Sequence, residues 1–176
     1  MIETSRLRLR KPHASDARAI FDRYSSDPRV TRYLGWPTHR TIDDTDAFLA
    51  FCNAEWARWP AGPLLIESRT DGTLLGSTGL RLSSPQQAAT GYVLARDAWG
   101  QGYATEALHA MRDLALRLGV LRLTAVCHPE HRASWRVMEK CGFTREGTLR
   151  GHAQFPNYVP GVASDVLCYA MRYPKV

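Results

Sequence analysis

The run Trp99-Gly100-Gln101-Gly102-Tyr103-Ala104-Thr105-Glu106-Ala107 holds the residue types needed to grip a phosphate. Gly100 and Gly102 let the backbone turn sharply and bring main-chain N–H groups against a ligand. The apolar residues Ala104, Ala107, Leu108, Met111, Leu114, Ala115 and Leu118 recur at three- and four-residue steps, so a helix begins here. Its first turn offers unpaired N–H donors and the positive end of a dipole. Phosphate or pyrophosphate suits such a place, and the Thr105 hydroxyl adds a donor. No Gly-Lys-Ser/Thr follows, which excludes a Walker loop. The preceding strands are not a parallel βαβ series, which argues against a dinucleotide fingerprint.

A second group, Cys127, His128 and His131, has the residue types of a metal site. Its spacing lacks a second ligand pair, so no metal is expected. The four cysteines show no CxxC and sit beside apolar residues, as buried free thiols do. The net charge of +6 is spread along the chain rather than clustered. It suits an anionic cofactor with several phosphates better than a nucleic acid. No apolar run approaches the ~18 residues of a membrane span. The N-terminus lacks the apolar core of a signal peptide, so a cytoplasmic location is expected.

The elements that must position these residues follow from periodicity. Arg6-Leu7-Arg8-Leu9-Arg10 alternates as a strand does. Ser15 and Asp16 can cap a helix over about 17–25, and Asp43 or Asp44 a second one with Ala47, Phe48, Phe51, Cys52 and Trp56 as its apolar stripe. Strands are predicted near 64–67, 74–82, 91–94, 121–127, 143–149 and 165–173, and helices over about 104–118 and 132–140. The strand–helix–strand unit from Gly91 to Cys127 needs a parallel crossover, whereas the hairpins before it are antiparallel. The expected fold is α/β (α+β): one domain over 1–176, with a mixed, mostly antiparallel seven-stranded sheet and helices on both faces.

The glycine loop, together with Pro129-Glu130-His131-Arg132-Ala133-Ser134 and Met138-Glu139-Lys140-Cys141-Gly142-Phe143, resembles the GNAT acetyltransferases. The opening Thr4-Ser5-Arg6-Leu7-Arg8-Leu9-Arg10 is similar to that family's first strand. The closer likeness is to the branch holding the ribosomal-protein N-terminal acetyltransferases. The family's phosphate motif is Gln/Arg-x-x-Gly-x-Gly/Ala; Gly102 and Ala104 match it, and Trp99 stands at the Gln/Arg position. The resemblance implies acetyl-CoA held between two splayed parallel strands, and acetyl transfer to a primary amine, either a peptide N-terminus or a small molecule, by direct attack in a ternary complex. The rival reading is an acyl-CoA-binding module without turnover. A homodimer is allowed for, and no membrane partner is expected.

The resemblance also implies residue roles. Tyr92, Val93 and Leu94 would pair with the pantetheine arm, with a backbone N–H near Val93 or Leu94 facing the oxyanion. Trp99, Gly100, Gln101, Gly102, Tyr103, Ala104 and Thr105 would hold the phosphates. His131 stands where many relatives have an Asn that contacts the cofactor. Ser134 matches the group near the sulfur and is the candidate general acid or sulfur-orienting group. The usual carboxylate before Gly91-Tyr92 is absent, since Ala88-Ala89-Thr90 stands there. Glu67 is the nearest alternative as general base and His152 another, a water chain could also remove the proton, and His152 is a further candidate to bind the acceptor. Tyr33 and Trp36, in the two-helix excursion, are candidates to line the acceptor site, while Trp56 and Trp59 read as packing.

Overall fold

The computed structural model describes residues 1–174. In chain order the elements are β1 (Ile2–Glu3), β2 (Leu7–Arg10), α1 (Ala17–Ile20), α2 (Pro28–Thr31), α3 (Ile42–Arg58), β3 (Pro63–Ser68), β4 (Leu74–Ser84), β5 (Gln87–Leu94), α4 (Tyr103–Arg117), β6 (Arg122–Cys127), α5 (Arg132–Lys140), β7 (Thr144–Gln154) and β8 (Ala163–Arg172). One sheet carries eight strands in the order β1-β2-β3-β4-β5-β6-β8-β7. The strand beyond the expected seven is the two-residue β1, which pairs with β2 at the edge. All strand pairs are antiparallel except β5 with β6.

Alternation along the strands puts helices on both faces. Leu7, Leu9, Leu64 and Ile66 pack with Ala107, Leu108 and Met111 of α4. The intervening Leu65 joins Ile20, Tyr24 and Leu49 from the helices before β3. A period of two on β3 therefore serves two cores with one strand.

Some local expectations shift. The cap of α3 is Thr41, with Asp44 at its third position accepting from the Thr41 main chain. The buried stripe of α3 is Thr45, Leu49 and Cys52, so Phe51 turns outward. Helix α1 ends at Ile20 and continues as a π-helical turn over Phe21–Ser25, closed where the Ser26 hydroxyl donates to the Phe21 carbonyl. β5 begins earlier than its apolar residues suggest, because a tight turn after Ser84 pairs Gln87 directly with β4. Trp56 is a packing residue as expected: its indole N–H donates to the Pro63 carbonyl at 2.7 Å.

The feature that positions the site lies between β5 and β6. Their parallel ladder runs from Gln87↔Arg122 to Ala89↔Thr124 and stops. Beyond it β5 stays on β4, up to Leu94 opposite Gly76, and β6 stays on β8, up to Cys127 opposite Leu167. The two strands splay, and the β6-facing backbone edge of residues 90–94 has no ladder partner. Gly76 is required on β4 beside the end of β5: a Cβ there would collide with the Val93 carbonyl.

Candidate active site

A cavity of about 450 Å³ fills the gap. Its walls come from β4, β5, β6, α3, α5 and the loop around Tyr33 to Trp36. Apolar and aromatic side chains dominate, including Leu34, Trp36, Phe48, Phe51 and Phe155, and Glu55 is the one carboxylate among the lining residues.

Ser134 sits in the first turn of α5 and faces Tyr92 of β5. The Tyr92 hydroxyl donates to the Ser134 carbonyl at 2.9 Å and lies 3.1 Å from Ser134 Oγ. Burial raises the Tyr92 phenol above its ordinary value, so it stays protonated. Cys127, at the end of β6, is pushed up to about 11 by burial against a smaller opposing effect of the Ser134 hydroxyl, and remains a thiol.

Above this pair stands an aromatic stack. The Tyr33 ring lies 5.0 Å from both His128 and His131, nearly parallel to each, and 5.4 Å from Tyr158. The Tyr158 hydroxyl donates to Glu130 at 2.9 Å. Burial lowers His131 from its ordinary value, and the neighbouring His128 adds to the effect. His128 is lowered too, chiefly by burial. Asn157 stitches the two loops that carry the stack: its amide N–H groups donate to the Thr31 and Trp36 carbonyls, and its oxygen accepts from Thr38 N.

At the other end of the gap the glycine loop enters α4. Gly100 and Gly102 have φ of 74° and 80°, the left-handed region that glycine alone adopts freely. Nothing lies within 4 Å of where a Gly100 Cβ would be. Gly102 caps α4, and the first ladder bond of the helix runs from Glu106 N to Gly102 O. The N–H groups of Tyr103, Ala104 and Thr105 therefore have no partner within the helix. Upstream, the Trp99 indole donates to the Leu94 carbonyl at 2.9 Å, and the Gln101 amide donates to the Asp97 carbonyl at 2.7 Å. Trp99 is half exposed and joins the loop to the end of β5.

The family-level comparison agrees with this geometry. Residues 6–144 match the model of the acetyltransferase (GNAT) domain. The N-acetyltransferase YoaA of Bacillus subtilis is 30% identical over 178 residues, covering 99% of this chain and 98% of its own length. The chain belongs to the GNAT acetyltransferase family. Among solved structures, a GNAT acetyltransferase from Bacillus anthracis superposes with a TM-score of 0.83 at 26% identity, covering 97% of each chain. RimL, a ribosomal L7/L12 alpha-N-protein acetyltransferase solved with coenzyme A, shares the fold with a TM-score of 0.83 at 23% identity over 96% of this chain and 95% of its own.

In this GNAT chain the structure brings Tyr33, Trp36, Tyr92, Val93, His131 and Ser134 to one cavity. It does not bring Glu67 there. Glu67 is buried on β3 and accepts from Arg10 at 2.8 Å, while Arg10 also holds Asp16 through two nitrogens at 2.8 Å. That network ties β2 and β3 to the turn before α1 and leaves Glu67 no route to the cavity. His152 is exposed on β7, and its neighbours Ala153 and Phe155 line the cavity instead. Asp165 has a structural partner, accepting from Gly151 N at 2.9 Å where β7 bends. Among the described residues no group of three or more His, Cys, Asp or Glu is arranged to hold a metal ion, and no helix is long and apolar enough to cross a membrane.

Sequence reasoning missed Tyr158, Asn157 and Phe48 as parts of the site. Phe48 was visible only as one of the apolar residues of α3. Asn157 and Tyr158 lie in an aperiodic loop, where only the adjacency of aromatic and amide residues offered a sign.

Proposed function

We propose that the protein transfers an acetyl group from acetyl-CoA to a primary amine carried on a mainly apolar body, within a ternary complex. The observation that carries this reading is the splayed gap, with a phosphate-sized cradle of free N–H groups at one end and the paired hydroxyls of Ser134 and Tyr92 at the other. The residues fit the donor along its length. The cradle from Gly100 to Thr105 presents N–H groups and a helix dipole to a diphosphate. The open edge of residues 90–94 can satisfy the amides of a pantetheine arm as a neighbouring strand would.

Acetyl-CoA would supply an activated acyl group on a thioester. The chain supplies the rest. A β5 main-chain N–H near Val93 or Leu94 donates to the oxygen that gains charge during attack. Ser134 Oγ passes its proton to the departing sulfur and is reprotonated through solvent, which balances the proton the amine gives up, and Tyr92 fixes that hydroxyl by bonding to the same turn of α5. Proton removal from the amine falls to His131, the one imidazole lining the cavity, which burial keeps neutral at pH 7. The apolar walls suit an aromatic or aliphatic acceptor body, and a single carboxylate gives polycations little to hold.

Free-thiol release from acetyl-CoA, measured over a panel of amines, tests the reading. Aromatic amines and peptides with an aromatic N-terminal residue form two arms that separate small-molecule from peptide acceptors. Spermine and kanamycin form the third. Highest kcat/KM in either apolar arm supports the proposal. Preference for polycations would overturn the acceptor class. CoA binding without turnover of any amine would favour an acyl-CoA-binding module.

A further inference from the structure

The cradle is glycine-rich and therefore intrinsically mobile. Its upstream half is braced by Trp99 and Gln101, both bonded to nearby backbone. Its downstream half is braced from the far end of the chain. Arg6 Nη1 donates to the Gln101 carbonyl at 2.9 Å, and its guanidinium carbon lies 4.6 Å over the Tyr103 ring. Arg6 Nε donates to Glu106 Oε2 at 2.7 Å. The other oxygen of Glu106 accepts from Thr4 Oγ1 at 2.6 Å, Ser5 Oγ at 2.9 Å and Arg6 N at 2.8 Å. Residues 4–6 thus close on the first turn of α4 from the side.

We infer that Arg6, locked by Glu106, is a positioning residue that orients the cradle's main-chain donors toward the diphosphate of the acyl donor. The inference rests on the donor reading above. Its logic is that of a planar trans peptide, in which C=O and N–H point in opposite directions. Holding the Gln101 oxygen on Arg6 aims the Gly102 N–H to the other side. It also keeps a carbonyl, which would repel phosphate, turned away. Glu106 is itself well held. Burial would raise its carboxyl, but bonds from Thr4, from both the main chain and side chain of Arg6, and from Ser5 bring it down to about 2. The clasp is therefore charged throughout the range in which the protein would work.

The test compares two donors. S-acetylpantetheine carries the thioester and pantetheine arm but no diphosphate. Arg6→Met should raise the acetyl-CoA KM and the calorimetric CoA Kd by roughly tenfold, with kcat within about twofold. With S-acetylpantetheine the variant should match wild type. Arg6→Lys should not rescue, because one ammonium cannot serve Glu106, the Gln101 carbonyl and the Tyr103 face together. An equal loss with both donors would mean that Arg6 only supports the fold, and would overturn the inference. Unchanged CoA affinity in the variant beside a wild type that binds CoA would overturn the clasp alone. A wild type that binds no CoA would remove the donor reading and the clasp with it.

Discussion

At the phosphate end of the gap, every group that would face the ligand lies between Trp99 and Thr105, in one loop and one helical turn. At the sulfur end the lining comes from Tyr33 to Trp36, Phe48 and Phe51, Tyr92, Cys127, His131, Ser134 and Phe155, which the fold gathers from most of the chain. The first end is made of backbone, and side chains only brace it. The second is made of side chains that pack on one another. Backbone donors bind what is alike in every turnover, whereas gathered side chains act on what changes during it. Damage at the phosphate end should therefore appear in KM for the donor, and damage at the sulfur end in kcat.

The largest expected effect is at the sulfur end. On the role proposed for Ser134, Ser134→Ala removes the proton offered to the leaving sulfur and should lower kcat on the order of a hundredfold, with little change in acetyl-CoA KM. Tyr92→Phe should cost less, and should cost almost nothing further in the Ser134→Ala background, because on the proposed reading the phenol serves the reaction by holding the turn that carries that hydroxyl. Steady-state kinetics on the two single variants and the double variant check this. Additive losses would separate Tyr92 from Ser134.

Next comes the phosphate end. Gly102→Val forces a β-branched residue to φ near 80°, which costs at least about 1–2 kcal/mol and is relieved only by reshaping the loop. The donor KM should rise roughly tenfold or more, while kcat at saturating donor stays close to wild type. A fall in kcat as large as that of Ser134→Ala would erase the contrast between the two ends.

His131 lies where the comparison can be sharpened by pH. Burial lowers its folded pKa below 6.5, so the unfolded chain binds the proton more readily between the two values. Stability should therefore fall as pH drops below about 6.5 and level off beneath the folded pKa. Turnover should fall over the same window as the imidazole is charged. His131→Asn should flatten the acid limb of kcat, reduce the pH dependence of Tm to the part that other groups, His128 among them, contribute, and lower kcat at pH 7 by about threefold to tenfold. An unchanged acid limb would take the proton-accepting role away from His131.

The same division explains what could be read without coordinates. The glycine loop was legible because turn chemistry is local: φ above zero demands glycine, and the helix that follows announces itself by period. The parallel crossover was legible because Gly91 to Cys127 contains a strand, a helix and a strand. The stack of Tyr33, His128, His131 and Tyr158 was not legible as a unit, since Tyr158 lies in a loop far from the others and nothing periodic marks it. Thr4 to Arg6 read as part of the first strand, because no spacing tells that Glu106, about 100 positions on, will accept from them. Glu67 was misplaced for a related reason. On a strand of period two its face was readable, but its partner was not, and Arg10 with Asp16 took it.

Glu67 therefore provides the smallest expected change in turnover. Glu67→Gln leaves Arg10 bonded to Asp16 and keeps the volume on β3, so kcat and both KM values should stay within about twofold of wild type. The amide oxygen can still accept from Arg10, but the charge assistance is lost from a buried position, which should cost about 1–2 kcal/mol. In a chain of this length that amounts to a Tm lowered by roughly 3–6 °C. Calorimetric melting and thiol-release kinetics on the same preparation measure both quantities. A loss of kcat beyond tenfold with unchanged Tm would return Glu67 to the chemistry, because a carboxylate that only ties β2 and β3 to the turn before α1 has no other way to slow the reaction.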